Sequence, residues 1–253
     1  MVNECFIDIH CHLDHCKGQS IENIVKNARK EGVGIIVSAG VNRETNRLTL
    51  NMAKKYKEIK ACLGIYPIDA LAMSDEDIES ELKFIEKNEE SIIAIGEVGI
   101  DFKEDTKNHE RQKKIFEKFV ELSMKLNKPI IVHSRGAELE CIEILENLNA
   151  ERVIMHCFCG KKSLVERVLK NKWFLTIPTN VNNSQQFQER AKDAPLNQIF
   201  CETDSPFLHP NKERNNEPKN IIVSYEWIAK MKKIDIEEVK REIFDNFKRE
   251  FIQ

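Results

Sequence analysis

Eight short apolar runs recur along this 253-residue chain, beginning near Phe6, Gly34, Ala61, Ile92, Pro129, Val153, Phe174 and Ile199. Each has the length of a strand. Between them, residues 20–30, 43–56, 74–88, 108–126 and 137–148 carry apolar side chains at helical spacing. Ser74, followed by Asp75, Glu76 and Asp77, offers an N-cap with acids in the first turn, where they complement the helix dipole. Strand and helix alternate throughout, which builds parallel sheets. The predicted fold class is α/β, a TIM (β/α)8 barrel, for which about 250 residues is typical.

Residues 221–232 and 236–251 are also amphipathic and would supply the last barrel helix and a terminal covering helix. The seventh strand, Phe174 to Ile177, stops at Pro178, which a strand tolerates only at an edge or end. No Pro/Gly/Ser-rich linker or abrupt charge shift divides the chain, so one domain over residues 1–253 is expected. The eight cysteines lack regular disulfide spacing, and the amino terminus does not read as a signal sequence. No apolar stretch reaches the roughly 18 residues a membrane span needs. A cytoplasmic, membrane-free protein is expected. Its formal net charge of −3 excludes a surface that attracts nucleic acid everywhere, so any phosphate binding must be local.

Six side chains lie at or just past the downstream ends of the apolar runs: His10, His12, Glu97, His133, His156 and Asp204. In Phe6 to His12, strand alternation puts Asp8, His10 and His12 on one face and Ile9 and Cys11 on the other. In a barrel all carboxyl ends meet at one face, so residues far apart in sequence can converge there. Imidazole and carboxylate bind zinc and related divalent ions, and a carboxylate can bridge two of them. Two ions about 3.5–4 Å apart can hold a hydroxide between them, lowering water's pKa from 15.7 to about 7. The metal site is therefore expected at the carboxyl ends of the strands. His10, His12, Glu97 and Asp204 would hold one ion, and Glu97, His133 and His156 the other. Glu97 is the bridge and Asp204 the general base and acid. Asp8 would orient the ligands.

One histidine at a strand end is more often structural than a ligand, and an Asp before Ser-Pro is often turn chemistry. The joint placement on successive strands carries the reading. His15, His109 and His209 lack that context and are read as non-ligands. Cys11, Cys157 and Cys201 fall on the opposite strand face from the neighbouring ligand and are expected as buried small apolar groups, while Cys159 belongs to a loop. Arg135, two residues past His133, is expected to contact a substrate phosphate with its guanidinium fork. Lys103, Lys161, Lys162 and Lys212 read mainly as solvated charges. The ligand set suits phosphodiester hydrolysis, and equally hydrolysis of an amide, lactone or ester, or deamination of a small molecule or nucleoside. A metal-holding scaffold without turnover is the remaining alternative.

Five segments occur in an order that resembles the TatD-type deoxyribonucleases of the metal-dependent hydrolase superfamily. They are Asp8-Ile9-His10-Cys11-His12-Leu13-Asp14, Gly96-Glu97-Val98-Gly99-Ile100-Asp101, Ile131-Val132-His133-Ser134-Arg135, His156-Cys157-Phe158-Cys159-Gly160 and Glu202-Thr203-Asp204-Ser205-Pro206. Arg214-Asn215-Asn216-Glu217-Pro218 and Asn246-Phe247-Lys248-Arg249-Glu250-Phe251 resemble the family's tail, so the likeness covers nearly the whole chain. It implies an eight-fold barrel, two divalent ions, DNA as substrate and the ligand roles above; the ligand set itself accommodates Zn, Mn or Mg, and Arg214, in a nearby loop, is a further candidate phosphate contact. Two segments depart from the family. Its common Gly-x-His-Pro is here Gly64-Ile65-Tyr66-Pro67, and the phenol of Tyr66 can hydrogen-bond a phosphate oxygen but binds a metal poorly. Thr176-Ile177-Pro178-Thr179-Asn180 lacks an expected small Gly.

Overall fold

The computed structural model describes residues 4–252. In chain order the elements are β1 (Phe6–Cys11), α1 (Ile21–Lys30), β2 (Val33–Gly40), α2 (Arg43–Lys55), β3 (Ile59–Leu63), α3 (Pro67–Leu71), α4 (Asp75–Lys87) and β4 (Ala94–Gly99). There follow α5 (His109–Lys125), β5 (Ile130–His133), α6 (Glu138–Asn147), β6 (Val153–Met155), α7 (Lys162–Lys170) and β7 (Phe174–Pro178). The chain ends with α8 (Gln185–Asp193), β8 (Ile199–Glu202), α9 (Ile222–Lys232) and α10 (Ile236–Phe251).

Among the described residues, eight strands form one sheet in sequence order, β1 to β8. The pairs β1–β2, β3–β4, β4–β5, β5–β6 and β7–β8 are parallel. Just past its end, β8 also meets β1: Asp204 N–H donates to the His10 carbonyl (2.9 Å) and His12 N–H to the Ser205 carbonyl (2.7 Å). This is the TIM (β/α)8 class expected from the alternation. Two compact units share the chain: Met1–Ser38, Met52–Lys60 and Leu175–Gln253 form the first, Ala39–Asn51 and Ala61–Phe174 the second. None of the helices of the described residues is long and apolar enough to cross a membrane.

Local chemistry accounts for the boundaries. Ser74 caps α4 by accepting from Asp77 N–H, and Ser20 and Asp235 cap α1 and α10 in the same way. Pro67 starts the short α3, where its missing N–H and fixed φ cost nothing. β4 begins at Ala94, two residues later than the apolar run suggests. Pro178 is the last residue of β7, paired with Glu202, as its missing donor requires.

In the first unit, polar groups on the covering helices fasten them to the strands. Tyr225 of α9 accepts from Ile7 N–H (3.0 Å) and donates to the Ile7 carbonyl (3.1 Å), both buried. From α10, the buried Asn246 amide donates to the carbonyls of Leu196 and Ile199, each at 3.0 Å, while its oxygen accepts from Arg249 (2.8 Å). The closing Asn-x-x-Arg-x-Phe segment is thus a clasp over the start of β8. Asn246→Ala removes two buried hydrogen bonds and leaves the Leu196 carbonyl with the Ile199 N–H alone, so it should cost roughly 2–4 kcal/mol. Thermal denaturation should show a melting temperature lower by roughly 5–15 °C; an unchanged value would mean the clasp carries no stability.

Candidate metal centre

In the first unit, β1 delivers His10 from its strand and His12 from one residue past its end, both side chains buried. Their Nε2 atoms are 3.2 Å apart with the rings nearly perpendicular. Both lie close to Asp204 Oδ1, at 3.6 Å from His10 and 3.5 Å from His12. Ligand atoms about 2.0–2.1 Å from a tetrahedral ion stand about 3.4 Å from one another. The three donors therefore fit a divalent cation without rearrangement.

Asp204 reaches this position with φ 53°, a left-handed conformation that Asp tolerates better than most residues. Asp8 supports it from below. One carboxylate oxygen of Asp8 accepts from Thr203 N–H (2.8 Å) and His10 N–H (3.4 Å), the other from the Thr203 hydroxyl (2.5 Å). Burial drives the Asp8 carboxyl well above the usual range, and the Thr203 and His10 hydrogen bonds oppose it. Asp8 touches backbone on both sides of the cluster, tying the strand of His10 to the residue before Asp204.

In the second unit, β4 presents Glu97 through an irregularity. Its register against β5 shifts between Ile95 and Val98, leaving an extra residue on β4 beside Ile131. Gly96 and Gly99 have φ of 150° and 148°, and a Cβ on Gly99 would sit 1.9 Å from the His133 carbonyl oxygen. The two glycines permit the close approach that aims Glu97 at His133. Glu97 Oε1 lies 2.8 Å from His133 Nδ1 and 3.8 Å from His156 Nε2. One carboxylate oxygen of Glu97 thus faces a ring nitrogen of each of the two histidines.

Asp101, which sequence reasoning does not single out, meets His133 directly. Its Oδ2 lies 3.0 Å from His133 Nε2 and accepts from the Tyr66 hydroxyl at 2.9 Å, while Oδ1 accepts from the N–H groups of Lys103 (2.9 Å) and Glu104 (2.8 Å). Burial pushes its carboxyl up, but the bonds from His133, Glu104 N–H and Tyr66 outweigh that and hold it at about 2. It is a carboxylate at neutral pH and holds the ring by Nε2, while Glu97 faces Nδ1. Burial lowers the proton affinity of His133, yet Asp101 and Glu97 together raise it above the ordinary histidine value. Asp101→Asn should weaken metal binding roughly 10- to 100-fold by calorimetry without unfolding the protein; equal affinity would remove Asp101 from the site.

The other expected residues lie as follows. Tyr66 stands edge-on to His133 at 5.0 Å, its hydroxyl shared between Asp101 and Glu104 (3.2 Å), so its proton is already directed to a carboxylate. Arg135 is 63% exposed, with Nη1 3.9 Å from Asp101 Oδ2. Arg214 is exposed in the loop after β8. Cys11 and Cys201 are buried, whereas Cys157 is only half-buried at φ 42°. The parity expected to bury Cys157 fails because β6 stops at Met155. His15 pairs with Asp14 (3.3 Å), His109 stacks on Phe102, and His209 accepts from Asn211 N–H.

The family model for TatD-related DNases matches residues 7–252. A Methanocaldococcus jannaschii protein described as an uncharacterized metal-dependent hydrolase is 37% identical over 95% of this chain and 94% of its own length. The human protein named deoxyribonuclease TATDN3 is 33% identical over 92% of this chain and 89% of its own. Among solved structures, YJJV, a TatD homologue from Escherichia coli K12, superposes with a TM-score of 0.90 at 23% identity, covering 97% of each chain. At that identity the superposition speaks for the fold.

Proposed function

The chain belongs to the family of TatD-related DNases, and from that premise we propose that it is a metal-dependent hydrolase that cleaves phosphodiester bonds of DNA. The observation that carries this reading is the cation-sized cluster of His10, His12 and Asp204 at the carboxyl ends of β1 and β8, with Glu97 facing His133 and His156 at the ends of β4 to β6. His10, His12, Glu97 and Asp204 are assigned to one divalent ion, and Glu97, His133 and His156 to a second, with Glu97 as bridge. Residues 1–253 then act as one catalytic domain. Zn, Mn or Mg bound there would supply Lewis acidity toward the phosphoryl oxygens and bring the pKa of water toward neutrality.

The chain's own groups do the rest. Asp204 takes a proton from the attacking water and returns it to the leaving oxygen, its backbone held by the His10 carbonyl and by the Asp8–Thr203 contacts. Arg135 offers a planar fork to the phosphate oxygens, and Arg214 a second cation in the loop after β8. Tyr66, whose proton points to Asp101, is assigned the orientation of that carboxylate in place of the phosphate contact expected of it. The eight free thiols suit a reducing compartment, and we place the protein in the cytoplasm.

The test is turnover of end-labelled single-stranded and duplex DNA, with and without chelator, beside acyl ester and amide substrates. Shortened DNA in the presence of a divalent ion and none with chelator is the expected result. Hydrolysis confined to the acyl substrates would overturn the nuclease reading.

A further inference from the structure

We propose that a polar cavity between the loops after β7 and β8 binds a second backbone phosphate of the DNA strand, beside the one being cleaved. The inference rests on the nuclease reading. The cavity has a volume of about 460 Å³, and its walls include Asn182, His209, Arg214, Asn215, Glu217 and Lys219. In barrels of this class, the loops after strands seven and eight are a recurrent place for phosphate binding.

The cavity is built on fixed walls. Asn182 and Asn183 donate to the Pro210 carbonyl (2.8 and 2.6 Å), and Thr179 donates to that of Leu208 (2.8 Å). The buried Asn216 N–H donates to the Pro206 carbonyl (3.0 Å), and its amide donates to that of Thr203 (2.8 Å). The same loop therefore bonds through Asn216 to Thr203 and Pro206, on either side of Asp204.

The cavity lining sets Arg214 and Lys219 against Glu213 and Glu217, and the pairing within it decides which cation is available. Glu217 is occupied by Gln19 (2.7 Å), Asn27 (3.1 Å) and Lys219 (3.1 Å), so its charge is matched within the wall. His209 Nδ1 accepts from Asn211 N–H (3.1 Å), which leaves the proton on Nε2 as a donor. Among the described residues, the exposed Arg214 guanidinium has no ion-pair partner. Glu213, exposed at the rim, is the opposing charge. A phosphodiester, with one charge and two acceptor oxygens, suits one guanidinium flanked by neutral donors. The chain's negative net charge makes such local sites necessary for holding a polyanion.

Steady-state kinetics on a single-stranded oligonucleotide at several salt concentrations test this with the metal-loaded protein. Arg214→Ala should raise KM roughly tenfold with kcat unchanged, and reduce the slope of log(kcat/KM) against log[salt] by about 0.7. Glu213→Gln should lower KM. Lys212→Ala, in the same loop but outside the cavity wall, should leave the slope at the wild-type value. An oligonucleotide carrying one methylphosphonate next to the scissile bond should be a poorer substrate for wild type and no poorer for Arg214→Ala.

Equal slopes for wild type and Arg214→Ala, with DNA still cleaved, would overturn this inference alone. Equal losses in Arg214→Ala and Lys212→Ala would also overturn it, by showing a diffuse surface field. Inorganic phosphate that saturates the cavity without competing with the oligonucleotide would assign it to a free phosphate. Wild-type protein that neither binds nor cleaves DNA would overturn the nuclease reading and this inference with it.

Discussion

Asp204→Asn should give a folded protein whose kcat is about 10²–10⁴-fold below wild type, the range attributed to a positioned general base and acid. The exchange isolates chemistry from architecture for a backbone reason. Asp204 holds φ 53°, a conformation that Asn adopts as readily as Asp. The bonds that place it, from its own N–H to the His10 carbonyl and from Thr203 to Asp8, involve no Asp204 side-chain atom. What changes is the oxygen that lies 3.5 and 3.6 Å from the two histidine Nε2 atoms and the capacity to take a proton. Single-turnover cleavage of labelled DNA measures the loss, and circular dichroism checks the fold. Near-normal turnover would remove Asp204 from the chemistry.

Removal of divalent ions should abolish turnover and lower the melting temperature by roughly 5–10 °C. A ligand at a hundred times its dissociation constant stabilises by about 2.7 kcal/mol, and each kcal/mol moves the midpoint by about 2–4 °C in a chain of this size. Glu97→Gln should resemble the metal-free protein in both readouts, because Glu97 faces His133 and His156 alike and is the bridge proposed between the ions. Acid should mimic chelation. His133 has a proton affinity raised by Asp101 and Glu97, and a metal must displace that proton, so affinity falls as pH drops below the raised pKa. Differential scanning calorimetry with and without chelator, from neutral to mildly acidic pH, checks each step. A melting temperature indifferent to chelator would contradict it.

The residues show why some of this was legible before any coordinates. Strand alternation fixes relative facing without knowledge of the fold, so His10 and His12 could be put together from spacing alone. Parallel strands end on a common side, which is why Glu97, His133 and His156 could be grouped across their long separations. The strand starts follow from the apolar runs to within a residue, except at β3, which begins at Ile59, two residues before Ala61, and at β4, where Ile92 and Ile93 precede the paired residues.

Legibility stops where strands do. Parity buries Cys157 only if the strand runs past Met155, where the chain instead enters a turn in which parity has no meaning. Asp101 lies two residues beyond β4, and its contact with His133 depends on a turn closed by its own bonds to Lys103 and Glu104. Tyr66 reads as a substrate contact until Asp101 is seen beside it. Nor does the sequence show that Asn216 folds back to bond Thr203 and Pro206.

Metal stoichiometry tests the central claim most directly. Isothermal titration of the chelator-treated protein with zinc or manganese should give two ions per chain. The pair His10→Ala and His12→Ala should leave one, and the pair His133→Ala and His156→Ala should leave the other. A folded wild-type protein that takes up no ion, or one whose stoichiometry survives both double substitutions, would contradict the assignment of these side chains.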